Sequence, residues 1–442
     1  MNSFDILVIG AGPAGIFASL WAANSGLMVG LLEKNSSPGK KLLITASGQC
    51  NLTHREEGIV RGTIEEVNAF LSHYGGDLNS PAKSDKARFV KPCLFAYPPC
   101  ELESFFTSKG VPLIVNEIGK VFPQSLKSRD ILDTLIKECK KGGVVFIYNS
   151  PVTAIRKIQD GFEVLSGAKN YRARKVILTV GGRSFPATGS TGDGEVLAAS
   201  FGHSIIPTRP MAAPVEIENF AYQNLAGISA FIELELFNGI KKVGSTRGDM
   251  LFTHTGISGP VVQNALRYME PGFIFKINFA AASRELFDKK IIKAGTATGK
   301  LQVKTFLQNE GLSERLVLEL LGCAGISRET KLAELDKKSR RALGDVVTSF
   351  TLVMKKAAGW DIAKITAGGV STREVDANTM ESRIVKGLYF AGEVLDVDGD
   401  TGGYNLQFSF SSGYVAGMSS AEKNDNDVGD EAFSKTEVLK KT

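Results

Sequence analysis

The sequence has little of what marks a membrane, metal or nucleic-acid protein. Its longest apolar runs, such as Ile6–Gly10 and Val176–Val180, fall far short of the ~18 residues that span a bilayer. The N-terminus carries Asp5 where a secretory leader needs a basic and then an apolar stretch, so a cytoplasmic location is expected. Five residues are cysteine: Cys50, Cys93, Cys100, Cys139 and Cys323. The count is odd and no pair is spaced CxxC. This argues against a disulfide framework, a zinc knuckle and a thioredoxin-like redox pair. The four histidines, His54, His73, His203 and His254, lack metal-ligand spacing, so no metal is expected. Neither GxSxG nor HExxH occurs. The 52 basic and 47 acidic residues leave a net charge of +5, spread along the chain. No nucleic-acid or membrane partner is expected from so weak a charge, and the oligomeric state stays open.

What remains is an ordinary globular composition, 43% hydrophobic and 22% charged over 442 residues. That length suggests about three domains and can house a large cofactor. Phe4–Gly10 is a short β-branched run, as in a buried parallel strand. Ala14–Ser25 is Ala-rich and helical, stopped by Gly26, and Met28–Glu33 is a second strand. Together they form a βαβ unit. Pro38–Asn51 reads as a basic, glycine-rich loop. Thr63–His73, Glu101–Lys109 and Arg129–Lys141 read as helices. Val144–Tyr148, Val152–Ile158, Gly161–Leu165 and Lys175–Val180 read as strands, with a hairpin turn at Asp160-Gly161.

After Gly202 the character changes. Strands dominate to about Ala282, and a charged helical stretch follows to about Lys338. One helix there, Ser313–Leu321, has Ser313 as N-cap and Gly322 beyond its end. Near Leu388 the grammar of buried strand, glycine loop and helix returns, so the two ends of the chain build one domain around an insertion. From Glu422 the last residues carry ten charges and almost no large apolar groups, and are expected to be disordered.

Gly10-Ala11-Gly12-Pro13-Ala14-Gly15 fits GxGxxG. Gly10 allows the tight turn, Gly12 lets a pyrophosphate approach the backbone, and Gly15 allows close helix–strand packing. The helix start adds unpaired N–H groups and a positive dipole end. Glu33 ends the next strand, where a carboxylate can accept ribose hydroxyls. No second GxGxxG follows a strand: Gly181-Gly182 leads into Arg183-Ser184-Phe185-Pro186, a loop. One dinucleotide therefore stays bound as a fixture, and FAD is the better fit. Near the C-terminus, Gly387–Ala391 runs into Gly392-Glu393. Beyond Thr401-Gly402-Gly403-Tyr404-Asn405-Leu406-Gln407, the stretch Phe408–Met418 reads as a second helix aimed at the cofactor. Such a helix start would stabilise an anionic reduced flavin.

These segments together resemble the HI0933-like flavoproteins, from Phe4 to about Met418. The likeness rests on GAGPAG with Glu33-Lys34, GKKLLITASGQCNLTH (39–54), GGRSFPATGSTGDG (181–194), GDMLFTHTGISGP (248–260), AGGVSTREVDANTMES (367–382) and GLYFAGEVLDVDGDTGGYNLQ (387–407). It implies an α/β fold: an FAD-binding Rossmann-like domain split across both termini (1–202 and 366–421). Inserted in it are a β-barrel-like domain (203–282 and 339–365) and a small helical domain (283–338), with a tail at 422–442.

It also implies cofactor contacts. Lys40 and Lys41 fall to the phosphate region, and Lys34 joins Glu33 among the contacts. Gly48, Gln49, Cys50 and Asn51 belong to a loop wrapping FAD, and Val152 holds adenine by its backbone. Gly181, Gly182, Gly392, Glu393, Gly403, Tyr404, Asn405, Leu406 and Gln407 lie along the rest. Gln49 stands where many members carry arginine, and a neutral amide lacks that charge and fork.

Cys50 is read as a packing residue, since a reactive thiol needs an identifiable activator. Asp193 is read as a helix cap. His254, between a strand and a glycine turn, is the one candidate acid–base residue, although a turn-holding role is the plainer reading. The expected activity is an FAD-dependent oxidoreductase acting on a small organic molecule by hydride transfer at flavin N5. The resemblance allows NAD(P)H as a transient co-substrate in reducing an activated double bond. It equally allows amine oxidation by oxygen; a non-catalytic flavoprotein and a flavin-dependent RNA-modifying enzyme are alternatives of other classes, the last disfavoured by the scattered charge.

Overall fold

The apolar runs of the two chain ends become neighbours in one sheet. The computed structural model describes residues 2–75 and 84–422. Asn2–Ile9 lies between Val29–Leu32 and Lys169–Leu178, parallel to both, with Ile6 opposite Val29 and Lys175. Val145–Ile147 extends the sheet past Val29–Leu32 in parallel. Gly161–Ser166 and then Ala154–Ile158 extend it antiparallel on the other side. Leu388–Phe390 pairs in parallel with the far half of Lys169–Leu178. Leu7, Val8, Leu31, Val176 and Leu178 are wholly buried, which is why these strands read as unbroken apolar runs rather than alternating ones.

Two helices cover the sheet in register. The first, Pro13–Ala23, and the last, Tyr404–Ala421, are apolar and small-residue-rich. A Cβ on Gly413 would lie 2.6 Å from the Ala14 carbonyl, and one on Gly417 would meet Ala18 in the same way. Both contacts step four residues together, so the helices run parallel with their backbones nearly touching.

The described residues divide into two units, one up to Pro210 and again from Lys364, the other Met211–Ala363. The chain leaves the first unit later than Gly202, because Ile205–Met211 pairs with Ile365–Val370. The second unit holds a closed antiparallel barrel, in the order Val215–Ile217, Gly256–Ser258, Lys241–Phe252, Ser229–Asn238, Ile274–Asn278 and Phe350–Ala357. Ile232, Leu234 and Leu236 alternate inward and are fully buried. Helices Arg284–Thr298, Val303–Asn309, Glu314–Cys323 and Lys337–Thr348 fill the connection before the last strand. They run ten residues beyond the expected end at Lys338, since Leu343, Gly344 and Val347 supply a buried stripe.

Two local expectations change, and one helix falls where none is expected. The loop at 38–51 contains a short helix, Lys40–Ile44, anchored by buried Leu42. Helix Asp85–Ala96 was hidden in the sequence by Pro92; Ser84 caps it by accepting from Ala87 N. Gly322 does not end its helix: the stop comes at Gly325, whose φ is +68°. The tail expected to be disordered lies, Glu422 aside, outside the described residues. No helix among the described residues is long and apolar enough to cross a membrane.

Candidate functional site

A cleft opens in the first unit where the first strand ends. Gly12 is the N-cap of the first helix, with Pro13 at its start; no side chain caps this end and its first turn holds no acidic residue. Its leading N–H groups therefore lack intrahelical partners. A Cβ on Gly12 would meet nothing within 4 Å, so the space beside it is open, whereas one on Gly15 would run into the Gly10 carbonyl. Gly15 is thus behind the turn and Gly12 in front of it.

Glu33 is buried at the end of the second strand. Its Oε2 accepts from Ala11 N at 2.9 Å, and its Oε1 accepts from Asn35 N at 2.8 Å. The carboxylate, whose Oε1 also accepts from Asn35 Nδ2, thereby ties the glycine turn to the strand end while lining the cleft. Gly10, Gly12, Pro13, Ala14, Glu33, Lys34, Lys40, Lys41, Val152, Gly181 and Glu393 all line this one cleft. Asn35, Thr179, Asp193 and Ser409 also reach it without having been singled out for it.

Asp193 is not the helix cap. Gly192 takes that position and Asp193 opens the helix, its Oδ2 2.7 Å from Lys34 Nζ. Burial opposes its charge, but the hydrogen bond from Lys34 prevails and lowers its pKa. Lys41 Nζ lies 2.6 Å from Glu393 Oε2 and donates to Ser184 Oγ. Glu393 Oε1 also accepts from Thr366 N at 2.7 Å. Lys40 donates to Asn35 Oδ1 at 3.0 Å. Lys34, Lys40 and Lys41 thus each already have a protein partner.

The remaining expected contacts stand away from the cleft wall. Gly48 is half-buried, and Gln49 is exposed. Cys50 is fully buried, and burial pushes its thiol up to about 12 despite a hydrogen bond with Thr45, so it packs rather than reacts. Asn51 Oδ1 is a buried atom without a hydrogen-bond partner. A Cβ on Gly182 would collide with Thr366, and one on Gly392 with Ala14. Asn405 spends its amide on Gly399 and Asp400, closing the turn before the last helix. Gln407 is fully buried and bonds Thr53, Tyr97 and Ser411. Leu406 packs on the core, and Tyr404 is buried beneath His73. His254 lies exposed on a turn of the second unit, with no hydrogen bond or ion pair of its ring among the described residues.

The last helix reaches the cleft further along its length, at Ser409. Gly403, with φ +110°, is its N-cap; no side chain caps it and no acid lies in its first turn. Because Gly413 faces Ala14, this helix starts eight residues ahead of the first one, about 12 Å at 1.5 Å per residue. Ser409, on that overhang, lines the cleft. Two parallel uncapped helix starts, one at the cleft and the other about 12 Å ahead of it, fit the pyrophosphate and the more distant ring of a flavin dinucleotide. The open space at Gly12 and the carboxylate of Glu33 fit its phosphate and ribose.

Residues 4–419 match the family model described as the HI0933-like protein Rossmann domain. The ribosomal RNA dihydrouridine synthase of Escherichia coli (strain K12) is 31% identical over 419 residues, covering 94% of this chain and 97% of the relative. The 3-dehydro-bile acid delta(4,6)-reductase of Clostridium scindens is 29% identical over 429 residues, covering 94% and 98%. The solved structure of 3-ketosteroid-delta4-(5alpha)-dehydrogenase from Rhodococcus jostii RHA1, in complex with 4-androstene-3,17-dione, superposes with a TM-score of 0.51 at 18% identity, covering 96% and 97%. That last likeness is one of fold.

Proposed function

The chain belongs to the HI0933-like family of FAD-binding Rossmann oxidoreductases, and on that premise we propose that it reduces a carbon–carbon double bond conjugated to a carbonyl, with NAD(P)H as the transient donor. One observation carries this reading. Two relatives of nearly full length act on unlike substrates, by their descriptions, yet both saturate such a bond. Dihydrouridine arises by saturating the uracil C5=C6 bond, and a delta(4,6)-reductase acts on double bonds conjugated to the 3-oxo group.

Bound FAD supplies hydride transfer at N5. The chain's own groups bind and orient. The first helix start presents N–H groups to the pyrophosphate, and Glu33 accepts from the ribose. The start of the last helix, unopposed by any acid in its first turn, offers positive potential to an anion beside it. A small-molecule substrate is the first choice. The relative described as acting on ribosomal RNA favours a second one, a uracil within RNA, which net charge alone does not exclude. A cytoplasmic setting suits five cysteines that are all free thiols.

The test is an anaerobic titration with NADPH and then NADH, following flavin absorption. Bleaching, followed by reoxidation on adding an enone or a uracil-containing RNA, supports the reading and selects the substrate class. A flavin that no nicotinamide donor reduces, but that an amine does, would overturn it in favour of an oxidase.

A further inference from the structure

His54 and His73 meet at the first residue of the last helix. Both imidazoles stack on the ring of that residue, Tyr404. His73 lies 3.9 Å from it, centroid to centroid, with planes inclined by 16°; His54 lies at 5.1 Å and 26°. His73 also meets a carboxylate at each ring nitrogen. Nδ1 is 2.9 Å from Asp400 Oδ2, and Nε2 is 3.4 Å from Glu56 Oε1. The Tyr404 hydroxyl donates to the same Glu56 oxygen at 3.0 Å, and Asp400 N donates to the His73 carbonyl.

A neutral imidazole has one N–H and can donate to only one of two carboxylates. This arrangement is complete only when the ring is an imidazolium. Four other titratable groups among the described residues lie nearby. His54 Nδ1 is 3.1 Å from the Gly402 carbonyl, and burial holds its pKa low. Lys120 is opposite His54, where the short strand Thr53–His54 pairs antiparallel with Lys120–Pro123. Tyr74 donates to the Tyr404 carbonyl, while Lys86 is turned to Asp396 and Asp398. Burial disfavours charge on His73, but Asp400 and Glu56 outweigh it and raise its pKa to about 9.

We propose that His73 is a positioning residue for the flavin: its imidazolium clamps the turn Asp400–Tyr404 that opens the last helix, and losing the proton releases that turn. The proposal rests on the FAD reading above. It assigns the ring no contact with substrate. The ring acts through Asp400, Glu56 and the stacked Tyr404, which together fix where the helix start points.

The experiment measures the Kd of FAD for apoprotein, by flavin fluorescence, from about pH 6 to pH 10, with a melting curve at each pH. Wild type is expected to weaken by about tenfold across a one-proton step near pH 9. H73Q is expected to bind at the weakened level throughout, with a flat profile, and D400N to move the step to lower pH. An H73Q variant that keeps the wild-type Kd and its step overturns the proposal, even if it melts earlier, because His73 is then merely structural. If H73Q does not fold, a wild-type Kd without a step in that range overturns it by itself. A wild-type protein that binds no FAD at any pH is a different failure, that of the cofactor reading.

Discussion

Gly413 and Ala14 are in backbone contact: a Cβ on Gly413 would lie 2.6 Å from the Ala14 carbonyl. That contact sets the stagger of the two helices that start at the cleft. G413V should force them apart, costing about 1–3 kcal/mol and lowering Tm. G12V should behave oppositely, since its Cβ meets nothing within 4 Å and its φ is −80°. Its Tm should match that of wild-type apoprotein while bound flavin, read from visible absorption, is lost. Equal melting losses in both variants would contradict the assignment of Gly12 to the ligand side.

Glu33 has two jobs, one toward the backbone and one toward the cleft. E33A leaves Ala11 N and Asn35 N without their acceptor, a loss of about 1–3 kcal/mol. It should also weaken FAD by about tenfold or more in equilibrium dialysis. Wild-type occupancy in E33A would show that the carboxylate faces no ligand.

The Lys41–Glu393 pair is partly shielded and shares its carboxylate with Ser184 and Thr366. E393A should destabilise more than K41A, because it also strands Thr366 N. A double-mutant cycle with K41M and E393Q, followed by urea denaturation, should return a coupling of about 0.5–3 kcal/mol. Strict additivity would mean that the pair contributes nothing.

Stability should depend on pH through His73. Its pKa is raised from 6.5 in the unfolded chain to about 9 in the folded one. The stability it contributes is therefore full below about pH 6.5 and is lost as pH rises through about 9. The slope should approach about 1.4 kcal/mol per pH unit within that window. Urea midpoints across the window should fall for wild type and stay flatter for H73Q; parallel curves would place the proton elsewhere.

Thiol reactivity should follow burial. Cys323 is exposed, whereas Cys50, Cys93 and Cys139 are buried with their thiols pushed to high pKa. Iodoacetamide followed by peptide mass spectrometry should label Cys323 first and the buried three only in denaturant. Rapid labelling of folded Cys50 would restore it as a candidate redox group.

Motifs read over a few residues proved the most legible. GAGPAG between a strand and a helix places Gly12, Gly15 and the helix start by local geometry alone, and Glu33 follows from the length of one βαβ unit. The inserted strands showed as a change in residue pattern, whereas their closure into a barrel came only from the family resemblance. Less visible was helix Asp85–Ala96, because Pro92 masks its periodicity. Asp193 looks locally like a cap because its partner, Lys34, is distant in sequence.

The sequence by itself determined the family, the split of the sheet-forming runs between the two chain ends, and the glycine turn, since each depends on neighbours within a few residues or on ordered motifs. Only the tertiary structure decided which groups meet. The eight-residue overhang of the last helix depends on Gly413 finding Ala14, and the charge on His73 depends on Glu56 and Asp400 closing on it from two other segments. A proton or a cofactor ring responds to distance in space, and no spacing along the chain encodes that distance.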